Sequence, residues 1–252
     1  MKVIISPAKN MKMPEICPYE MTMPEFQTQS LKIWEVLRQM NPWELESVLK
    51  VNEKLAVLAF MDYKAFMPYA SDDGQTPHRP ALMVYDGLVF KNIEAHQFSN
   101  EEMMNAQQCL RILSGFYGVL KPLDAIMPYR LEMQCKVKIE GKNLYQFWNR
   151  SIYENICDNQ DLVLNLASEE YAKCVRKYLA PWDRLIDVEF LVYKNGKLKT
   201  ITAWAKMARG RMVRYIIKNR IDNIEDVKKF DDLDYQFVPE LSHERKLVFV
   251  LK

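Results

Sequence analysis

Leu185-Ile-Asp-Val-Glu-Phe-Leu-Val-Tyr-Lys-Asn-Gly-Lys-Leu-Lys-Thr-Ile-Thr-Ala-Trp204 carries two alternating runs around Lys194-Asn195-Gly196-Lys197. Asn-Gly suits a type I′ turn, in which both central residues need positive φ, so residues 185–204 predict a β-hairpin. A helix from about Ala205 to Asn219 follows without a linker. Working outward, Lys2 to Ser6 reads as a short buried strand stopped by Ser6-Pro7, and residues 10–24, rich in Met and Pro, as an irregular crossing segment. Leu31, Ile33, Trp34, Leu37 and Met40 lie near helical spacing. Asn41-Pro42-Trp43-Glu44 has the cap, first-turn proline and Glu of a helix start, continued by Leu45, Val48 and Leu49. Leu55, Leu58 and Ala59 begin another helix, and residues 68–80, with three prolines and Gly74, read as a loop. Ala81 to Tyr85 reads as a strand. Ser99 and Glu102 form a capping box before a helix that carries Met103, Ala106, Leu110 and Leu113 and ends before Gly115. Residues 133–139 alternate like a strand, 143–157 form an amphipathic helix, Leu162–Leu166 a strand, and Ser168 caps the next helix. Tyr235–Val238 and Lys246–Leu251 are the last strands. Strands and helices do not alternate regularly, so the expectation is an α+β (mixed α/β) fold: one compact domain over residues 1–252, with a mixed sheet and surrounding helices.

Two hundred and fifty-two residues, 49% hydrophobic, with only 7 Gly and 12 Pro, exclude a disordered or collagen-like chain. The apolar run Val3–Ile5 is too short for a signal core or a membrane span, so the expectation is a soluble, cytoplasmic monomer with no membrane partner. Cys17, Cys109, Cys135, Cys157 and Cys174 are odd in number and widely spaced, which predicts reduced thiols. His78, His96 and His243 are scattered, so neither a metal site nor a cofactor is expected.

The net charge of +2 hides an uneven distribution. Lys194 to Arg220 holds nine basic residues and no acidic one, and acid is concentrated just after it, from Asp222 to Asp234. On a helix, Arg211, Arg214 and Lys218 share an arc of about 60°. Trp204, Ala208, Met212 and Tyr215 lie opposite as a core stripe, and Lys206 and Arg209 fall on a third arc. Two readings stand side by side: a solvated face neutralised by the acidic segment, or a phosphate-binding surface for duplex DNA or a nucleotide.

Arg111-Ile-Leu-Ser-Gly-Phe-Tyr-Gly-Val-Leu-Lys-Pro-Leu-Asp124 places Gly115 and Gly118 three apart between Arg111 and Lys121. Such a turn can offer backbone N–H groups to a phosphate. It resembles the helix-hairpin-helix element of DNA-binding proteins, at about residues 100–130, with two apolar residues between the glycines instead of one. A glycine helix cap with an ordinary turn is the alternative. Arg130 and Glu132, on one strand face, either pair or line a cleft. Ser6-Pro-Ala-Lys9 fits S-x-x-K, but S-D-N and K-T-G are missing. Asn165-Leu-Ala-Ser168-Glu-Glu170 lies at a strand-to-helix junction, where ligands meet α/β proteins.

These stretches together resemble the YaaA family of bacterial peroxide-stress proteins. The resemblance rests on Ile5–Lys9, Leu113–Asp124, Pro128–Met133, Lys142–Trp148, Asn165–Ser168 and Lys206–Gly210, in order along most of the chain. Leu88, after Asp86-Gly87, departs from the family's aromatic residue there. The resemblance implies a single mixed α/β domain with a positively charged cleft in a cytoplasmic protein. It implies protection from hydrogen peroxide by keeping free iron low, and duplex DNA binding through the hairpin element and cleft.

The first expectation is therefore a non-enzymatic, DNA-binding stress protein. Arg111, Gly115, Gly118 and Lys121 would hold phosphates at the hairpin, and Lys206, Arg209, Arg211, Arg214 and Lys218 would form the basic surface. The alternative is an enzyme acting on a nucleotide or nucleobase, with catalytic candidates Lys9, Arg130, Glu132, Ser168 and Glu170 beside Lys206 and Arg209. Direct iron chelation ranks last, because no ligand cluster has the usual spacing. Convergence of Lys9, Arg130, Glu132, Ser168, Lys206 and Arg209 in one pocket would favour the enzyme; an open basic groove would favour DNA.

Overall fold

Val3-Ile4-Ile5 is apolar on both faces because it runs through the middle of a parallel sheet. A computed structural model describes residues 1–15, 17–70, 76–157 and 162–252. The first strand, β1 (Lys2–Ile5), precedes helices α1 (Gln27–Leu37), α2 (Pro42–Leu49) and α3 (Glu53–Ala65). Strand β2 (Arg79–Pro80) leads to helices α4 (Ala81–Val84), α5 (Leu88–Ile93) and α6 (Asn100–Cys109). Strands β3 (Leu110–Ser114), β4 (Gly118–Leu120) and β5 (Ala125–Ile126) come next, then α7 (Leu144–Trp148), α8 (Ser151–Ile156), β6 (Leu162–Asn165) and α9 (Glu169–Arg176). The rest comprises β7 (Arg184–Lys194), β8 (Lys197–Lys199), α10 (Thr202–Lys218), α11 (Ile224–Val227), β9 (Tyr235–Phe237) and β10 (Lys246–Leu251).

The main sheet has the order β4-β3-β1-β6-β7-β10-β9, with β8 paired to β7. Its centre is parallel: Val3 faces Leu110 on one side and Leu164 on the other, and Val188 faces Leu247. The edges are antiparallel through β4, β8 and β9. This is a mixed α/β fold with an eight-stranded sheet flanked by helices, as expected, although its parallel centre mixes helix and strand more closely than a segregated α+β arrangement. The chain leaves β1 for β3 on one side and β6 for β7 on the other. Where neighbouring parallel strands send the chain in opposite directions, a crevice opens beyond their carboxyl ends. Ser6 and Leu166–Ser168 lie at that point.

The local signals behave as their chemistry requires. Asn195 and Gly196 have φ of 54° and 71°, the left-handed pair of a type I′ turn. Asn41/Glu44 and Ser99/Glu102 each close both capping-box hydrogen bonds. Gly210 of α10 packs so closely on α5 that a Cβ there would sit 2.2 Å from the Val89 carbonyl oxygen. That approach holds α10 against the mouth of the crevice.

Five expectations change. Ala81–Val84 is a helical turn: Ala, Leu and Met are good helix formers, and the ladder is taken by Arg79–Pro80 against β5. Residues 133–139 alternate buried and exposed as predicted, but the segment forms no strand, only an isolated bridge from Ile139 to Lys142. The 143–157 helix is split into α7 and α8 at Asn149, whose φ of 45° breaks the helix. No helix-hairpin-helix forms at 100–130: α6 ends at Cys109, and Leu110–Ser114 pairs in parallel with β1 and then turns into β4. Trp204 also leaves the expected core stripe of α10, being 46% exposed. Part of the loop expected at 68–80, residues 71–75, lies outside the described residues.

Candidate functional site

The carboxyl ends of β1 and β6 are stitched by two serines. The Ser168 amide donates to Ser6 Oγ at 2.8 Å, and Ser6 Oγ donates to Ser168 Oγ at 3.1 Å. Ser168 occupies the N-cap position of α9 but spends its hydroxyl on Ser6 and does not cap. Beside them lies a cavity of about 510 Å³, within the ordinary range of small-molecule sites. Lys9, Arg130, Glu132, Ser168, Glu170, Lys206 and Arg209 all line it. Leu88, Val89, Leu166 and Tyr171 add apolar wall.

On the side of the 129–132 segment, Lys9 Nζ pairs with Glu132 at 2.8 Å, and the Arg130 guanidinium donates to the Lys9 carbonyl at 3.1 Å. Segment 129–132 is anchored from behind: the Tyr63 hydroxyl donates to the Arg130 carbonyl at 2.5 Å, and the buried Tyr129 hydroxyl shares hydrogen bonds of 2.7 Å with Tyr85 and Ser114. Glu170 Oε1 accepts from the Gln134 amide at 3.1 Å, and burial together with the nearby Glu132 charge pushes its carboxyl above the usual range. Asp62, behind Arg130, is pushed up to about 6 by burial, against the pull of that guanidinium.

On the α10 side, Lys206 and Arg209 stand one turn apart and share a face. Arg209 Nε is enclosed and has no hydrogen-bond partner among the described residues. Burial lowers its pKa while Asp187 raises it, yet a guanidinium stays charged. Asp187 itself is held by Asn165 at 2.6 Å and Arg176 at 2.9 Å. A buried, charged donor without an acceptor costs about 1–3 kcal/mol or more, which an anion would offset.

The other expected phosphate contacts do not join this cavity. Arg111 is buried, donating to the Gln107 and Leu110 carbonyls at 3.0 and 2.8 Å. Gly115 and Gly118 are buried as well: a Cβ on Gly115 would meet the Leu131 carbonyl, and one on Gly118 would meet Trp148 and Phe26. The turn between them presents no open N–H cradle, because it lies under Trp148, whose indole donates to the Gly115 carbonyl at 2.9 Å. Lys121 is half-buried beside Asp124. Arg211 pairs with Asp232 at 2.7 Å and Glu94 at 3.5 Å, Arg214 with Glu94 at 3.3 Å, and Lys218 with Glu102 at 3.2 Å. Only Asp232 of these partners belongs to the acidic segment; the others come from the α5–α6 region.

Sequence reasoning named the cavity's charged residues except Asp86, which lines it and pairs with Lys91 at 3.0 Å, and it missed two supporting acids, Asp187 and Asp62. Asp187 sits in an alternating strand, where only the register with Asn165 shows its role. Asp62 is linked to Arg130 only through the packing of α3.

Among the described residues no helix is long and apolar enough to cross a membrane, and no group of three or more His, Cys, Asp or Glu is placed to hold a metal ion. A UPF0246 protein of Agathobacter rectalis is 40% identical over 253 residues, covering 100% of this chain and 99% of the relative. UPF0246 proteins of Clostridioides difficile and Ligilactobacillus salivarius are each 40% identical, with 99% of both chains covered. The family described as Peroxide stress protein YaaA matches residues 1–241, and the chain belongs to that family.

Proposed function

We propose that this peroxide-stress family member is an enzyme whose cleft binds and acts on a small phosphate-bearing ligand of nucleotide size. One observation carries the reading: Lys9, Arg130, Glu132, Ser168, Lys206 and Arg209, separated by up to most of the chain, line a single cavity. The unsatisfied Arg209 Nε supports an anionic group in the ligand. Glu170, half-buried with a raised pKa, is the group best suited to move a proton there. Duplex DNA is the weaker reading, because Arg211, Arg214 and Lys218 are engaged with acids of the fold itself. Limitation of free iron is not assigned to any group of side chains.

Thermal unfolding with a panel of nucleoside monophosphates, and separately with a short duplex at several salt concentrations, tests the proposal. A ligand at a hundred times its dissociation constant should raise Tm by on the order of 5–10 °C, and Arg209→Met should abolish the rise. No shift with any panel member, together with duplex binding lost in an Arg211→Gln, Arg214→Gln, Lys218→Gln variant, would overturn it in favour of DNA.

A further inference from the structure

We infer that the cleft is bipolar, with Lys206 and Arg209 of α10 seating a phosphate and Glu132 with Glu170 accepting N–H donors from an amino-substituted base, so that its ligand class is a nucleotide of adenine, guanine or cytosine type. The inference rests on the small-ligand reading above and narrows it. The two charge groups answer to different neighbours. Glu170 feels Glu132 and Lys9, whereas Arg209 feels Asp187. A ligand with a single anionic charge would satisfy the α10 end and leave unused the acceptor sites that remain on Glu132 and Glu170 beside their bonds to Lys9 and Gln134.

The carboxylate end is built to accept. Gln134 and Met133 supply backbone N–H groups to Glu170, and a carboxylate has about four lone-pair sites, so acceptor capacity remains. Glu132 is bound to Lys9, whose side chain is 68% exposed, so that pair sits at the cleft surface where a ligand can share it. Of the three carboxylates lining the cavity, Asp86 is paired with Lys91 at 3.0 Å, whereas Glu132 and Glu170 repel each other, and an N–H edge placed between those two relieves the repulsion. Exocyclic amino groups supply such an edge. Uracil sets carbonyl oxygens on both sides of its one N–H, which a carboxylate rejects. Leu88, Val89, Leu166 and Tyr171, which line the same cavity, provide apolar surface for a planar ring.

The test is isothermal titration of the full chain with AMP, GMP, CMP, UMP and ribose 5-phosphate. At least one amino-base nucleotide should bind roughly tenfold or more tightly than both UMP and ribose 5-phosphate, the factor expected of one hydrogen bond to a charged group. Glu170→Gln should reduce that preference, whereas Arg209→Met should weaken all five ligands. Equal binding of UMP, ribose 5-phosphate and the amino-base nucleotides would overturn the bipolar assignment and leave the phosphate seat standing. Failure of every probe to bind would overturn the small-ligand reading itself. The comparison among ligands on the unmodified protein decides the matter even where a variant fails to fold.

Discussion

Asp124 shows how a single side chain carries both a structural and a pH signature. It is 2% exposed, accepts from the Thr22 hydroxyl at 2.6 Å and the Lys121 amide at 2.7 Å, and burial pushes it up to about 6. A carboxyl whose folded pKa lies above its unfolded value contributes stability at low pH that is lost as pH rises through the folded pKa. The native state therefore loses Asp124's contribution between about pH 4 and pH 6. Asp124→Asn cannot titrate, so its stability relative to the unmodified protein should improve as pH is raised from 4 to 7; denaturant titrations at several pH values check this, and a pH-independent difference would refute it. The thiols make a second residue-scale prediction. Burial raises Cys109 and pushes Cys135 to about 11 and Cys174 to about 12, so few thiolates exist at neutral pH. In the folded protein these three should resist iodoacetamide and hydrogen peroxide, and mass spectrometry should find them modified only after unfolding. Rapid modification of any of the three would mean that a peroxide-reactive thiol is part of the protein's role.

At the scale of elements, α10 is held in place by the absence of a side chain at Gly210. With a Cβ 2.2 Å from the Val89 carbonyl, Gly210→Ala must push α10 away from α5. Overpacking of this kind costs roughly 1–3 kcal/mol. Because Arg209 and Lys206 ride on the same helix, ligand affinity should fall with stability; a variant with unchanged Tm and affinity would show that α10 does not position the site. Element signals with fixed local chemistry were readable in advance: the capping boxes at Asn41 and Ser99 and the Asn195-Gly196 turn formed as their side chains dictate. The β3 strand was not readable. Met103, Ala106, Leu110 and Leu113 keep helical spacing, and only the parallel pairing of Leu110 and Ile112 with Val3 and Ile5 decides otherwise. Ala81–Val84 posed the same ambiguity, since a short apolar run has no period to separate strand from helix.

For the whole molecule, the adjacency of β1 and β6 converts scattered polar residues into a site. Lys9, Arg130, Glu132, Ser168, Lys206 and Arg209 could each be named from local sequence, but their meeting depends on strands about 160 residues apart lying side by side. The same folding disposes of much of the basic window, turning Arg211, Arg214 and Lys218 inward to Glu94, Glu102 and Asp232. Pairs that keep part of their surface in water contribute about 0–1 kcal/mol each. Replacing all three cations by Gln should therefore lower stability modestly, by about 1–2 kcal/mol, and leave the affinity for small phosphorylated ligands unchanged; a large loss of that affinity would place the ligand on the wrong face. The most direct measurement is a crystal structure of the chain with ribose 5-phosphate. The account predicts the phosphate within hydrogen-bond distance of Arg209 Nε, between α10 and the Ser6–Ser168 junction. A phosphate bound instead on the Arg211–Lys218 face, or at the Gly115–Gly118 turn, would contradict it.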